Sequence, residues 1–343
     1  MVFTMDEPLH LAAYLADWLE LQRTQLQPST LRQYTGTVNR YLVPHLGDRP
    51  VAAITHRDIS DFYRRLLLGG GLRGKPLALV TVQRVAAMTH KVFEDAVRDD
   101  LIAANPCDKA LLPRIDPNAP PRELRVWTTE QLAAFLVHQR RRRLWALWVV
   151  AAGTGMRRGE LLGLRWRDVD VAARTVHVRR SLSLVAGIPQ LKVPKSNRAR
   201  SLHVGPAVLH AFEVCRQQQQ RDAEGIERPL QDESATWGLV FTEPDGGLIA
   251  PQKVTDAFRE AVRDAPVPVL RFHDLRHSHA TWMLQAGVSP KVVSERLGHA
   301  SVKTTLDLYA EVLPPMDQDA AERFESLVWA DPLEQASAEG DDH

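Results

Sequence analysis

The stretch LRFHDLRHSHATWML, residues Leu270–Leu284, places His273, His277 and His279 within seven residues, with Arg276 in the middle. Two chemistries compete for it. On a helix, His273 and His277 at i, i+4 share a face, as paired zinc ligands do. Alternatively, His273 and Arg276 at i, i+3 turn an imidazole and a permanent cation toward one anion. A zinc-protease helix needs Glu directly after its first His and a further ligand elsewhere. Here Asp274 holds that position, and Arg276 would set a positive charge beside the metal. The anion reading is the stronger, and no metal is expected. It requires further anion-binding groups elsewhere in the chain.

Those groups are present. TGMRRGELLGLRW places Arg157 and Arg158 after a glycine-containing bend and Glu160 three residues beyond Arg157. VPKSNRARSLHV puts Lys195 on a basic segment that reads as a hairpin, and LGHASVKTTLDLYAEV sets His299 ten residues before Tyr309. Two arginines, a lysine, two histidines and a tyrosine are what in-line attack on a phosphodiester requires without metal. The arginines clamp non-bridging oxygens through bidentate hydrogen bonds. A lysine or histidine returns a proton to the leaving oxygen, and a tyrosine is the nucleophile. Taken singly, each residue has a plainer explanation: Arg157 on a helix-end carboxylate, Lys195 in solvent, Tyr309 in a core. His277 and His279 keep that plainer reading, as helix packing or a hydrogen bond supporting the site. The run Arg140–Arg143 reads as a solvated turn.

The motifs TGMRRGE, PKSNRARSLHV, HDLRH and LGHASVKTTLDLY, in that order, resemble those of the tyrosine recombinase (phage integrase) family. The resemblance spans roughly residues 8–325. It implies that Arg157 is the first catalytic arginine, with Glu160 orienting it, and that Arg158 occupies a variable position. It implies Lys195 as the catalytic lysine, since Arg198, Arg200 and Leu202 follow at the family's spacing. His273 and Arg276 form the H-x-x-R pair, His299 takes the position that is His or Trp in the family, and Tyr309 is the nucleophile. The expected activity is site-specific DNA recombination through a 3′-phosphotyrosyl link, most simply as the integrase of a phage or other mobile element. The alternatives are a resolvase of chromosome or plasmid dimers, a nicking-closing enzyme, or a silent DNA-binding regulator. The implied partners are double-stranded attachment or recombination sites, further copies of the chain in a tetramer on DNA, and an accessory bending or excision factor. No cofactor is implied, because the phosphotyrosyl link conserves the energy of the broken bond.

The rest of the chain is consistent with this. Its 343 residues are 44% apolar and 25% charged, enough for two globular domains. The longest apolar run, Leu144 to Met156, has the length of a core helix and is too short to span a bilayer. The N-terminus shows no secretory pattern, and Cys107 and Cys215 lie far apart, so a cytoplasmic protein without membrane contact is expected. The net charge of +1 conceals an asymmetry: residues 1–126 carry +2, residues 127–311 carry +7, and residues 312–343 carry −8. A basic body suits a polyanion partner.

The expected fold is mainly α with a small antiparallel β-sheet. Residues 1–111 read as a helical core-binding domain of four or five helices. Thr55 would cap one of these, and Ser29 or Thr30 another. Residues 112–126, with proline after proline, read as a linker. Residues 127–325 read as the catalytic domain, opened by a threonine-capped helix and continued by a helix over Leu144–Leu164, with strands and a hairpin between residues 165 and 204. Residues 326–343 form an acidic tail. Arg32, Tyr34, Arg84 and Lys91 lie on helices that could enter the major groove, and with Arg198 and Arg200 they are the candidate DNA contacts. About seven residues precede the first helix. The small arm-site-binding domain of many family integrases is longer, so recognition of arm sites is left open. DQDAAERFESLVW resembles the family's C-terminal helix, which docks on a neighbouring protomer.

Overall fold

The computed structural model describes residues 8–71, 74–114, 124–185, 188–192, 199–224, 238–309 and, in the tail, 321, 322, 324–326 and 328. The chain divides into two compact units, Met1–Arg122 and Glu123–His343. Among the described residues no helix is long and apolar enough to cross a membrane.

The first unit is helical: α1 (Leu11–Gln25), α2 (Pro28–Thr37), α3 (Val43–Leu46), α4 (His56–Gly69) and α5 (Leu79–Arg98). Leu11, Tyr14, Leu15 and Trp18 recur at helical spacing and are buried against Leu42, Ile59, Phe62, Leu66, Val82 and Phe93. The Trp18 indole donates to buried Asp95 at 2.8 Å, and Asp95 also takes Lys91 and Arg98. Thr55 caps α4 in a reciprocal box with Asp58. The cap expected at Ser29 or Thr30 is displaced: Pro28 opens α2 and Gln27 is the N-cap. A proline at the first helical position gives up an N–H that would have no intrahelical partner, and its φ already suits the helix. Pro44 lies inside the following helical run, and the backbone widens to π geometry over Val38–Leu42 just before it.

The second unit opens with α6 (Thr129–Gln139), capped by Thr128 and Gln131, then α7 (Trp145–Thr154) and α8 (Arg158–Leu162). The single helix expected over Leu144–Leu164 is therefore two, broken at Gly155. Among the described residues five strands follow: β1 (Val169–Asp170), β2 (Thr175–Val178), β3 (Ser181–Val185), β4 (Ile188–Lys192) and β5 (Arg200–His203). They make an antiparallel sheet in the order β1-β2-β5 and a separate β3–β4 hairpin. Helices α9 (Pro206–Glu224), α10 (Pro251–Asp264), α11 (Asp274–Gln285), α12 (Pro290–Leu297) and α13 (Val302–Tyr309) follow among the described residues.

Helix α7 is apolar all round and is buried from Ala146 to Ala152, packed against α9 and α11. Trp127, Phe135, Trp148, Phe258 and Phe272 form the aromatic centre of this core. Gln219, within the glutamine run of α9, bonds to the chain that returns beside it. Its amide donates to the carbonyls of Leu239 and Val240 and accepts from the Trp166 indole. That ties the returning chain to the sheet side of the core.

Candidate active site

Helix α7 stops because Gly155 adopts the left-handed conformation, φ 63°. A Cβ there would lie 2.7 Å from Leu297 Cδ2 and 2.8 Å from His279 Cδ2, so both the turn and the close packing demand glycine. The chain then re-enters a helix at Arg157, the N-cap of α8. Glu160 reaches back to the Arg157 N–H at 2.9 Å and to its guanidinium at 3.0 Å. The turn thus fixes Arg157 through local hydrogen bonds. Arg158 points elsewhere, to the Thr255 hydroxyl on α10.

A second glycine turn lies at the end of α12. Gly298 has φ 68°, and a Cβ there would meet the Arg200 guanidinium at 2.8 Å. Both arginines of the expected set close on this turn. Arg157 donates to Gly298 O at 3.0 Å, and Arg276 donates to Leu297 O at 2.7 Å and to Gly155 O at 2.8 Å. Each of these side chains has five N–H donors, so donors remain for a phosphate oxygen. Arg276 is 4% exposed. Burial, then the nearby Arg157, holds its guanidinium below the usual range.

Glu160 is the anionic hub. It is 1% exposed and takes Arg157 on one side and both terminal nitrogens of Arg200 on the other, at 3.0 and 2.7 Å. Burial alone would raise its carboxyl, but the Arg200 hydrogen bonds and charge prevail and hold it below the usual carboxylate range. Arg200 also donates through Nε to Arg296 O at 2.8 Å. Arg200, a candidate DNA contact, is thus held by protein partners on the Glu160 carboxylate and the Arg296 carbonyl. On β5, Arg200 shares the parity of buried Leu202, so the strand turns it inward.

Tyr309 ends α13 with its ring 1% exposed among Ala280, Leu284, Val293 and Leu297. Burial pushes its phenol up to about 12, against the opposing charge of Arg276. Its hydroxyl lies 2.8 Å from His277 Nδ1. His299 Nδ1 meets the Thr305 hydroxyl at 2.7 Å. Burial, then Arg276 and Arg157, lowers His299 to about 4. His273 remains open to solvent on one side, but desolvation, His277 and Arg276 lower it to about 4 as well. Both rings are therefore neutral near pH 7. Loss of solvent is the larger cause, and neighbouring positive charge, which an arriving phosphate would offset, adds to it.

Five of the six expected catalytic residues are thus described: Arg157 and Arg276 close on the glycine turns, His299 directly follows Gly298, Tyr309 packs with Leu297, and His273 interacts electrostatically with Arg276 and Arg157. Lys195 and Arg198 lie outside the described residues. Of the candidate DNA contacts on the first unit, Arg32 and Arg84 are exposed, Tyr34 stacks on Trp18 with ring centroids 5.6 Å apart, and Lys91 pairs with Asp95. Tyr34 and Lys91 are engaged in packing and ion pairing within their own unit. His277 and His279, read from the sequence as packing or as hydrogen bonds supporting the site, both make hydrogen bonds there, and Arg296 was not anticipated. His277 reaches the tyrosine hydroxyl. His279 meets Ala152 O through Nδ1 at 2.8 Å and accepts from Arg296 through Nε2 at 3.1 Å. Arg296 donates in turn to His203 O and Gly153 O. The only sequence signal for His277 was its place one turn beyond His273; for Arg296 there was none.

Residues 125–315, more than half of the chain, match the Phage integrase family, and residues 10–67 match the N-terminal SAM-like domain of phage integrases. The chain is 27% identical to a XerC-like tyrosine recombinase of Caldanaerobacter subterraneus subsp. tengcongensis, over 90% of this chain and 81% of that protein. It is 26% identical to the ICEBs1 integrase of Bacillus subtilis, over 88% of this chain and 79% of that one. Among solved structures, the Tn1549 transposon integrase in complex with transposon right end DNA shares the fold at a TM-score of 0.76 and 21% identity, covering 93% of this chain and all of that one.

Proposed function

Because this chain belongs to the phage integrase family, we propose that Tyr309 is its nucleophile and that Arg157, Lys195, His273, Arg276 and His299 complete its catalytic set. The protein is a tyrosine site-specific recombinase, an enzyme that cuts and rejoins DNA. The observation that carries the residue assignment is the convergence of Arg157 and Arg276 on consecutive carbonyls, Gly298 and Leu297, beside buried Tyr309.

The chemistry follows from these groups. A scissile phosphate between Arg157 and Arg276 has its charge offset as the pentavalent transition state forms. The Tyr309 oxygen attacks phosphorus, the bond to the 5′ oxygen breaks, and the 3′ phosphate is left on tyrosine. Lys195 gives the leaving 5′ oxygen its proton. His273 and His299, neutral beforehand, donate hydrogen bonds to the phosphate. A 5′ hydroxyl from a second duplex reverses the step and exchanges the strand. Each protomer brings one Tyr309, and exchanging both strands of two duplexes breaks four bonds. That count points to a tetramer on double-stranded DNA.

The biological role we favour is integration of a mobile element, supported by the similarity to the ICEBs1 integrase along most of both chains. Resolution of DNA dimers is the second reading, supported by the similarity to the XerC-like recombinase. Incubating the protein with the joined-end junction of the element that carries its gene tests the assignment. Covalent protein–DNA complexes and recombinant products are expected, and DNA binding with no covalent complex would leave only the silent-regulator reading.

Two further results are expected from the same assay. Cleavage survives excess EDTA, because guanidinium groups stand where other phosphoryl-transfer sites use metal ions; loss in EDTA with recovery on adding magnesium or zinc would contradict this. Lys195→Ala slows cleavage by about 10² or more, the scale of a lost general acid. On a substrate whose 5′ leaving atom is sulfur, which departs without a proton, that defect shrinks. An undiminished defect would make Lys195 a phosphate ligand.

A further inference from the structure

We infer that His277 is the proton acceptor for Tyr309, a role that rests on Tyr309 being the nucleophile and that the motif resemblance assigns to no residue. A general base must lie within about 2.6–3.2 Å of the proton it removes. Among the described contacts, His277 Nδ1 meets that condition at 2.8 Å from the Tyr309 hydroxyl. His299 has its Nδ1 on the Thr305 hydroxyl. Arg276 has only donors to offer.

The surroundings suit the task. The nucleophile needs a base, because burial favours the neutral phenol. His277 sits on α11 one turn past His273, and the two rings meet edge to face at 88°, with centroids 5.3 Å apart. The ring of Tyr309 approaches from α13, with its centroid 5.9 Å from that of His277. His277 interacts electrostatically with His273, Asp274 and His299, among other groups, and meets the Tyr309 hydroxyl. Of those named, Asp274 is the fixed negative charge. It is buried, and Arg271 holds it through two guanidinium hydrogen bonds of 2.7 and 2.8 Å and one from its backbone N–H at 3.2 Å. When the phenol attacks phosphorus, its proton passes to His277 Nδ1, and the Asp274 carboxylate offsets the imidazolium that results. The proton lost from Tyr309 and the proton gained by the 5′ oxygen thus travel on separate residues. When the rejoining step restores the phenol, His277 returns its proton.

The test compares parent, Tyr309→Phe, His277→Ala and His277→Asn on a nicked duplex of the joined-end junction, made with oxygen or sulfur as the 5′ leaving atom. Asparagine retains a hydrogen bond to the phenol but takes no proton near neutral pH, so it separates holding the tyrosine from deprotonating it. Circular dichroism and gel shift establish that each variant folds and binds. We expect His277→Asn to bind as the parent does and to cleave about 10²-fold more slowly. The defect persists on the sulfur substrate, which relieves only the leaving-group side. The variant's rate also climbs with pH between 7 and 9, because only the small phenolate fraction then reacts. Parent-like cleavage by His277→Asn overturns the inference, and so does a defect that disappears on the sulfur substrate. A parent protein that forms no covalent complex refutes the recombinase assignment itself, and Tyr309→Phe that still forms one refutes the choice of nucleophile.

Discussion

Tyr309→Phe is expected to abolish covalent attachment to DNA and to leave DNA binding unchanged. The substitution keeps the ring, which is 1% exposed among Ala280, Leu284, Val293 and Leu297, so the packing of α13 survives. It deletes one hydroxyl and with it the hydrogen bond to His277 Nδ1. The stability cost of one such bond is about 1 kcal/mol, too little to unfold a unit with a core of this size. The rate effect is of another order, because no other atom of the ring can form the phosphoester. On a denaturing gel the parent retains labelled DNA and the variant releases all of it, while a native gel shift is the same for both. Retained label with the variant would place the nucleophile on another residue.

Glu160→Ala is expected to be the most damaging substitution for stability. It removes the one carboxylate shared by Arg157 and Arg200. Arg200 is 10% exposed, so its charge is left in a poorly solvated place. Breaking a buried pair by removing one partner costs about 3–5 kcal/mol. For a unit of this size, each kcal/mol lowers the midpoint by roughly 2–4 °C. The thermal midpoint of the catalytic unit should therefore fall by about 6–20 °C. The control is Asp61→Ala, which breaks an exposed bridge to Arg64 of similar length. It should change stability by less than about 1 kcal/mol, since both groups there remain in water. Equal effects from the two variants would show that burial does not set the worth of the Glu160 pair.

The same carboxylate fixes a direction of pH dependence. Its folded-state value is held below the unfolded one by Arg200 and Arg157, against the opposing effect of burial. Its contribution is therefore complete above the ordinary carboxylate range. It is lost as pH falls through the depressed folded value, because the unfolded chain takes the proton first. Acid unfolding of Glu160→Gln should show a shallower fall over that range than the parent.

The local features of this protein could be read from its sequence because they depend on near neighbours. Thr55 with Asp58 and Thr128 with Gln131 are caps closed within three residues. The stripe Leu11, Tyr14, Leu15 and Trp18 states its own period, and Glu160 reaches Arg157 across a single turn. The motifs holding Arg157, His273, Arg276, His299 and Tyr309 identified the chemistry, because few other tasks need that set of side chains.

What tertiary structure alone decided concerns residues that meet across long stretches of chain. Arg157 finds Gly298 across 141 residues, and Arg276 finds Gly155 across 121. The break in the apolar run Leu144–Leu164 comes at Gly155, where a side chain would strike Leu297 and His279. Arg200 reads as one more basic residue on a basic strand, yet strand parity and a buried carboxylate turn it inward. His277 reads as a packing histidine or a supporting hydrogen bond, and only the arrival of α13 shows that its partner is Tyr309. Spacing along a helix determines which side chains share a face, but which distant group that face meets is settled by how the helices and strands pack.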